Sequence, residues 1–354
     1  MGRTVVRCLP QGCVFSYFSR KPRRRKGRGP GFLWYFPAPC AWGGMRAERR
    51  YSLKKLLLVV NPCAGMKRIQ RYLADIIGLF TAHGYENIVY MTAGRADATQ
   101  IVQRKAAEVD LVVCAGGDGT FNEVVAGMLL SGADKPIGYI PAGSTNDFAS
   151  SLGLPKQIME AARCIVEGTP HRLDIGRFND RYFSYVASCG AFTRTSYATP
   201  QSVKNALGHV AYLLAGIKDI ANIRKIHLRV ETDDQVLEDD YIFGAVSNST
   251  SVGGVLTLDP HLVNMSDGVF EVLLIRSPSN LLELNECIVA LSTQNYHSGA
   301  ITFCNTKKVK ITAPASVDWT LDGEMAEGSE TIEVENLHDA IAIICKEDTA
   351  LRGK

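Results

Sequence analysis

Residues 110–124, Asp-Leu-Val-Val-Cys-Ala-Gly-Gly-Asp-Gly-Thr-Phe-Asn-Glu-Val, constrain the fold more than any other stretch of the chain. Positions 111–115 are a short, continuous apolar run, the pattern of a strand buried on both faces of a parallel sheet. Gly116, Gly117 and Gly119 then supply a backbone that can turn sharply and approach a ligand without Cβ clashes. Thr120 and Glu123 stand in capping-box spacing, which predicts a helix beginning at Thr120. Strand, glycine turn and helix N-terminus together present free N–H groups and a positive dipole end, an arrangement suited to an anion. An ordinary βα turn has no need of three glycines around an aspartate.

The same alternation runs through the chain from Lys54. Strands are predicted at 56–60, 88–92, 111–115 and 137–140, and helices at 67–83, 97–107 and 120–130. Short strands separated by helices argue for a doubly wound parallel sheet, in which ligands collect at the carboxyl ends of the strands. The turns Asn61-Pro-Cys-Ala-Gly65, Gly116 to Thr120 and Pro141-Ala-Gly-Ser-Thr-Asn-Asp147 all lie at such ends and should converge on one cleft. After Pro170 the texture changes to strands at 172–178, 182–188, 225–232, 241–247, 269–275, 308–312, 331–335 and 340–345. Helical insertions at 203–221 and 280–291 interrupt them. Many strands with few crossover helices suggest an antiparallel sandwich. The expected fold is therefore α/β plus β: a parallel α/β nucleotide domain over 54–170 and an antiparallel β-sandwich domain over 171–346.

The net charge of +3 misleads. Residues 1–44 carry nine Lys/Arg and no Asp/Glu, so the rest of the chain sums to −6 and gives no support for nucleic-acid binding. Residues 1–50 read as a disordered extension or as the product of an upstream start, with Met45 as the true first residue. A signal peptide needs its charges before an apolar core, and the order here does not fit. The basic, aromatic composition of this segment could instead touch anionic lipid. None of the ten cysteines falls in a CxxC pair, which points to a reducing cytosol. No apolar run approaches the roughly 18 residues of a transmembrane helix. The seven histidines are scattered without an HxxxH pair, so surface or structural roles are expected of them.

The glycine loop is neither a Walker A loop nor a Rossmann fingerprint. Lacking a built-in lysine, it would have to meet triphosphate charge with Mg²⁺, backbone N–H groups and a helix end. Asp118 could face the nucleotide or its metal, or brace the turn. Asp322 and Glu324 flank Gly323, so one tight turn could aim both carboxylates at one place; a plain hairpin is the competing reading. Ser266-Asp267-Gly268 is either a turn or part of a metal site.

These motifs, taken in order, resemble the diacylglycerol kinase catalytic domain, and most closely the soluble bacterial YegS-type lipid kinases, relatives of sphingosine and ceramide kinases. The resemblance spans about 54–346. It continues through Tyr197-Ala-Thr-Pro-Gln201 with Lys204 and Gly208, Asn248 with Gly253-Gly254, and Trp319-Thr-Leu-Asp-Gly-Glu324. It implies ATP-dependent phosphorylation of a lipid hydroxyl, that of diacylglycerol or a related lipid alcohol. The cleft would lie between the domains, and the enzyme would be cytoplasmic and peripheral at the inner membrane surface. It implies that Asn61, Gly65, Thr92, Gly116, Gly117, Asp118, Gly119, Thr120 and Asn122 hold ATP, with Ser144 and Thr145 at the rim. Glu324 would be the general base, with Asp322 beside it on metal or proton. Asp267 with carbonyls of Asn264 and Val269 would hold Mg²⁺. The Thr199-Pro200 loop and the helix from Val203 could line a lipid entrance or pack in the core. Two positions depart from the family pattern: Ser144 stands where Thr is usual, and Tyr185 where Asn is common, which bears on the acceptor pocket. A homodimer is left open. The competing functions are a soluble-substrate kinase of the NAD kinase type and a non-catalytic nucleotide- or lipid-binding regulator.

Overall fold

The structure is a computed structural model that describes residues 7–8, 53–190, 224–252, 256–296 and 298–346. Its first half is a parallel sheet of β2 (Lys54–Val60), β3 (Tyr85–Met91), β4 (Leu111–Gly116) and β5 (Pro136–Pro141), with the two-residue β1 (Arg7–Cys8) antiparallel on β3 at the edge. The order is β1-β3-β2-β4-β5. Residues 56–60 and every residue of β4 are buried, as continuous apolar runs in a parallel sheet require. Helices α1 (Ile69–Ala82) and α5 (Ile158–Glu167) cover one face, setting Ile76, Phe80 and Ile165 against Leu56, Leu58 and Val113. On the other face α2 (Asp97–Lys105) and α3 (Asp118–Ser131) set Val102, Val124 and Met128 against Leu57, Val59 and Val112. A short α4 (Asp147–Ser151) follows β5.

The second half is antiparallel: β6 (Thr169–Phe178), β7 (Arg181–Phe183), β8 (Val186–Gly190), β9 (Ile226–Glu231), β10 (Val236–Ser247), the small β11 (Ser251–Val252) and β12 (Leu256–Thr257) pair, β13 (Phe270–Arg276), β14 (Ile301–Thr306), β15 (Lys308–Thr312), β16 (Trp319–Leu321), β17 (Glu324–Ala326) and β18 (Thr331–Cys345). Trp319, Phe270, Val272 and Ile332 fill its own core. Helix α6 (Leu281–Ser292) starts at Asn280, whose Oδ1 accepts the N–H groups of Leu282 (2.9 Å) and Glu283 (3.0 Å).

β18 joins the two halves. Where the sequence predicts strands at 331–335 and 340–345, the structure has one strand of 15 residues with a register shift between Leu337 and Ile341; Asp339 takes φ 52° there. Its first part pairs antiparallel with β15, and Ala342 and Ile343 pair parallel with β5. β6 pairs along both parts and runs through the expected domain boundary at 170. One hydrogen-bonded sheet therefore crosses from the parallel to the antiparallel domain. One apolar core does the same, including Phe121, Phe148, Tyr185 and Leu273. The predicted strand at 182–188 is divided between β7 and β8, because Ser184 and Tyr185 leave the ladder to bond elsewhere. The predicted helix at 203–221, the Thr199-Pro200 loop, Lys204, Gly208, Gly253-Gly254 and most of the 1–50 extension lie outside the described residues.

Candidate active site

The strand order reverses direction between β2 and β4: the chain steps from β2 outward to β3, then returns to the far side of β2 for β4 and β5. Adjacent βα loops diverge at such a point and leave a crevice beyond the strand tips. Backbone bonds hold the tips in register there, Asn61 N–H to Ala115 O (2.9 Å), Thr92 N–H to Val60 O (2.9 Å) and Ala142 N–H to Gly116 O (2.7 Å). Above them opens a cleft of about 490 Å³, lined by Asn61, Gly65, Thr92, Gly117, Gly119, Thr120 and Ser144 among others, and by Glu324 from the opposite domain. The size is that of a small-molecule site.

The glycines in these turns are set by close backbone approach. A Cβ on Gly143 would lie 2.6 Å from Gly117 Cα, and one on Gly65 (φ +49°) would lie 2.0 Å from Ala142 O. The three turns are thus stacked backbone on backbone, which no other residue type permits. Asn61 ties two of them, with Nδ2 donating to Thr120 Oγ1 (2.9 Å) and Oδ1 accepting Cys63 N–H (3.0 Å).

Helix α3 begins at Asp118 with Gly117 as its cap, two residues earlier than predicted, and no side chain caps it. The first turn therefore has no side-chain cap, and Gly117, Gly119 and Thr120 line the cleft. Glu123, predicted to close a capping box with Thr120, instead accepts the N–H groups of Ala96 (2.8 Å) and Ala98 (3.1 Å) and so caps α2. It holds the 93–98 loop, in which Ala96 takes φ 59°, and with it Arg95, whose side chain lines the cleft. Burial raises the Glu123 carboxyl against those two donors. Arg95, Cys63 and Glu123 are cleft residues that the sequence reading missed. Arg95 stands three residues after Thr92 and 21 before Gly116, in a stretch with no motif of its own to mark it.

Three predicted ligand residues point elsewhere. Asp118 accepts the N–H groups of Asp147 (3.1 Å) and Phe148 (3.3 Å), bracing the start of α4, and burial raises its carboxyl despite them. Both contacts match the alternative in which Asp118 braces the turn. Asn122 donates to Tyr182 O (3.2 Å) across the domain junction, away from the cleft. Gly116 lies beneath Thr120, which a Cβ there would meet at 2.6 Å. Thr145 is exposed beside the rim, next to Ser144, which lines the cleft.

The Asp322–Glu324 turn does not aim both carboxylates at one place. Asp322 (φ 50°) and Gly323 (φ +83°) reverse the chain between β16 and β17. Asp322 is buried and accepts the N–H groups of Ser184 (2.5 Å), Tyr185 (3.0 Å) and Val186 (3.0 Å), so it anchors the turn to the strand below. Burial pushes its carboxyl up to about 7, with the three N–H donors working against that rise. Glu324, two residues on, reaches the cleft and lies over Gly119. Tyr185, which stands where the family has Asn, is 3% exposed and continues the ring series Phe121, Phe148, Tyr185 through the shared core rather than facing the cleft.

In the 264–269 turn, Asn264 Oδ1 accepts Ser266 N–H (3.1 Å) and Oγ–H (3.2 Å), and Asp267 Oδ1 accepts Val269 N–H (3.1 Å). Gly268 N–H donates to the buried Asp174 (2.6 Å), which also accepts His338 Nδ1–H and Asp339 N–H, each at 2.8 Å. The hydrogen bond to Asp174 raises the His338 imidazole, which has a structural role in fixing the β18 bulge. Glu271, just beyond the turn, is 1% exposed with neither oxygen partnered, and burial pushes it up to about 9. A buried carboxylate without donors, as Glu271 is, fits a hard divalent cation such as Mg²⁺.

Comparison with known proteins gives two family matches. Residues 55–178 match the diacylglycerol kinase catalytic domain, and residues 186–345 match the YegS C-terminal NAD kinase beta sandwich-like domain. A diacylglycerol kinase of Bacillus subtilis (strain 168) is 31% identical over 301 residues, covering 84% of this chain and 98% of that one. One from Staphylococcus aureus (strain bovine RF122 / ET3-1) is 33% identical over 278 residues, covering 77% and 86%. A crystal structure of a candidate diacylglycerol kinase from Bacillus anthracis str. Sterne superposes with a TM-score of 0.70 at 24% identity, covering 84% of this chain and 98% of that one, and shares its fold.

Proposed function

The chain belongs to the diacylglycerol kinase catalytic-domain family, and from that premise we propose that it transfers the γ-phosphate of ATP to the hydroxyl of diacylglycerol or a related lipid alcohol. The observation that carries this reading is a cleft with a glycine-stacked backbone cradle and a helix N-terminus on one side, and an unencumbered carboxylate on the other.

The cradle of Gly65, Gly117 and Gly143 leaves room for phosphate oxygens where a Cβ would stand, and the first-turn N–H groups of α3 would bind them. Arg95 would add the positive charge that the glycine loop lacks, and Asn61, Thr92, Thr120 and Ser144 complete the wall. Mg²⁺ bound with the nucleotide would neutralise charge developing between the β- and γ-phosphates. No donor among the described residues engages the Glu324 carboxylate, so it is available to accept the proton of the lipid hydroxyl. The freed oxygen forms the new bond to the γ-phosphorus as the bond to the β-phosphate oxygen breaks, and ADP leaves. Asp322 would serve as a positioning residue that fixes the turn bearing Glu324. The 264–269 turn, with Asp267 and the carbonyls of Asn264 and Val269, would hold a second Mg²⁺ away from the cleft.

Among the described residues no helix is long and apolar enough to cross a membrane, and we propose that the enzyme meets its lipid from the cytoplasmic side as a peripheral protein. The test is turnover of labelled ATP with Mg²⁺ and a panel of lipid alcohols in mixed micelles, repeated with Glu324→Gln. Because the C-terminal match is described as NAD kinase-like, NAD belongs in the panel. Phosphorylation of NAD alone, or of nothing, would overturn the lipid assignment; full activity in Glu324→Gln would overturn the base.

A further inference from the structure

Glu271 is the second residue of β13. Its neighbours Phe270, Val272 and Leu274 face the core of the antiparallel domain, whereas Leu273 and Ile275 face the core shared by both domains. Strand alternation puts Glu271 with the latter pair, on the inward side. It is 1% exposed, and neither carboxylate oxygen has a hydrogen-bond partner. An orphaned buried carboxyl is expensive, and an uncommon feature of native chains.

Its surroundings are rich in acceptors. Asp267 and Asp174 both act on it electrostatically. Asn248 follows Ser247, the register partner of Glu271, and is fully buried; its Nδ2 donates to Asp174 O (2.9 Å), while its Oδ1 has no partner. The donors present are already spent, with Gly268 N–H, Asp339 N–H and His338 all on Asp174. Oxygen acceptors left with no free donor, as on Glu271 and Asn248, are complemented by a hard cation with oxygen ligands.

We propose that Glu271 and Asp267 jointly bind the divalent cation of the 264–269 turn, as a structural site that ties β13 to the junction of β6 and β18. The inference rests on the metal reading given above and extends it to a residue outside the turn motif. A carboxylate facing a cation needs no hydrogen-bond donor, which accounts for both unpartnered oxygens of Glu271. Through Asp174 the same turn holds the β18 bulge, so the cation would stiffen the link between the domains rather than the nucleotide cleft.

The test uses the full chain without nucleotide or lipid, so it is independent of kinase turnover. Melting midpoints of the wild type, Glu271→Gln and Asp267→Asn are followed from EDTA through rising MgCl₂, and bound Mn²⁺ is counted by electron paramagnetic resonance. Ligand binding to the folded state raises the wild-type midpoint with cation concentration. Each variant should need at least about tenfold more Mg²⁺ for the same rise, and lose the bound Mn²⁺ at limiting concentration. If Asp267→Asn loses the response and Glu271→Gln keeps it, the turn binds metal and the role of Glu271 falls. No response in the wild type overturns the site altogether. Should Glu271→Gln fail to fold, hydrogen exchange of the wild-type 270–276 peptide decides: slowing by Mg²⁺ supports the proposal, and unchanged exchange overturns it. A wild type that phosphorylates no lipid yet shows the full cation response would lose the functional reading and support this one.

Discussion

A Cβ built on Gly119 would lie 2.9 Å from Glu324 Oε1. The first turn of α3, at the head of the parallel domain, and the start of β17, in the antiparallel domain, meet at that contact. It brings the proposed phosphate-binding backbone and the proposed base together from residues about 200 apart in the chain, and only a glycine leaves the carboxylate there.

Gly119→Ala should therefore separate activity from stability. The obstructed atom is the far end of a flexible side chain, so Glu324 swings aside and the fold persists; alanine in a helical first turn carries no propensity penalty. Misplacing a catalytic group by about 1 Å costs on the order of 100-fold. The expected result is a kcat lower by about that factor with a melting midpoint within a few degrees of wild type.

Gly65→Ala should do the opposite. Its Cβ would sit 2.0 Å from the Ala142 carbonyl oxygen, a backbone atom, at φ +49°. Neither wall can yield, so the 61–65 and 141–145 turns must part. A loss of about 1–3 kcal/mol in denaturant unfolding is expected, together with weakened ATP binding by calorimetry.

Glu123→Gln tests the link from α3 to Arg95. A neutral amide replaces a carboxylate that receives two α2 N–H groups, costing about 1–2 kcal/mol. Loosening of the 93–98 loop should raise the KM for ATP more than it lowers kcat. Arg95→Ala should reproduce the KM effect without the loss of stability, which steady-state kinetics and thermal melts on both variants would check.

Asp322 gives a pH dependence with a definite sign. Its folded carboxyl titrates at about 7, whereas an unfolded aspartate releases its proton near ~3.9. Between those values the folded chain binds more protons than the unfolded one. This group therefore makes stability fall as pH rises from about 4 to about 7, with no further change above. Asp322→Asn removes that slope. Melting midpoints of both proteins at pH 5 and pH 8 should show a larger fall in the wild type; parallel falls would refute the assignment.

The order of the parallel strands, the first three helices and the three turns at strand ends were legible because they depend on local pattern: apolar runs such as 56–60 and 111–115, and glycines where the backbone must turn; α4 (Asp147–Ser151) and α5 (Ile158–Glu167) were not predicted. The antiparallel half was legible as strands, yet β11, β12, β16 and β17 escaped, having two or three residues each, and β14 escaped because most of it is half-buried without an apolar alternation. Side-chain partners were not legible at all. Asp118, Glu123 and Asp322 each looked like ligands or local caps by spacing, and each is engaged by backbone N–H groups 25 or more residues away. Nothing in a motif records which distant backbone will be left with unpaired donors.

Sequence alone settled where this chain can turn and where it must be buried, since glycine conformational freedom and apolar transfer are properties of the residues themselves. The tertiary structure decided which carboxylate would face the cleft. Packing of β17 over α3 exposes Glu324 and burial beneath the same turn commits Asp322 to three peptide N–H groups, a division of labour set by proximity across the domains.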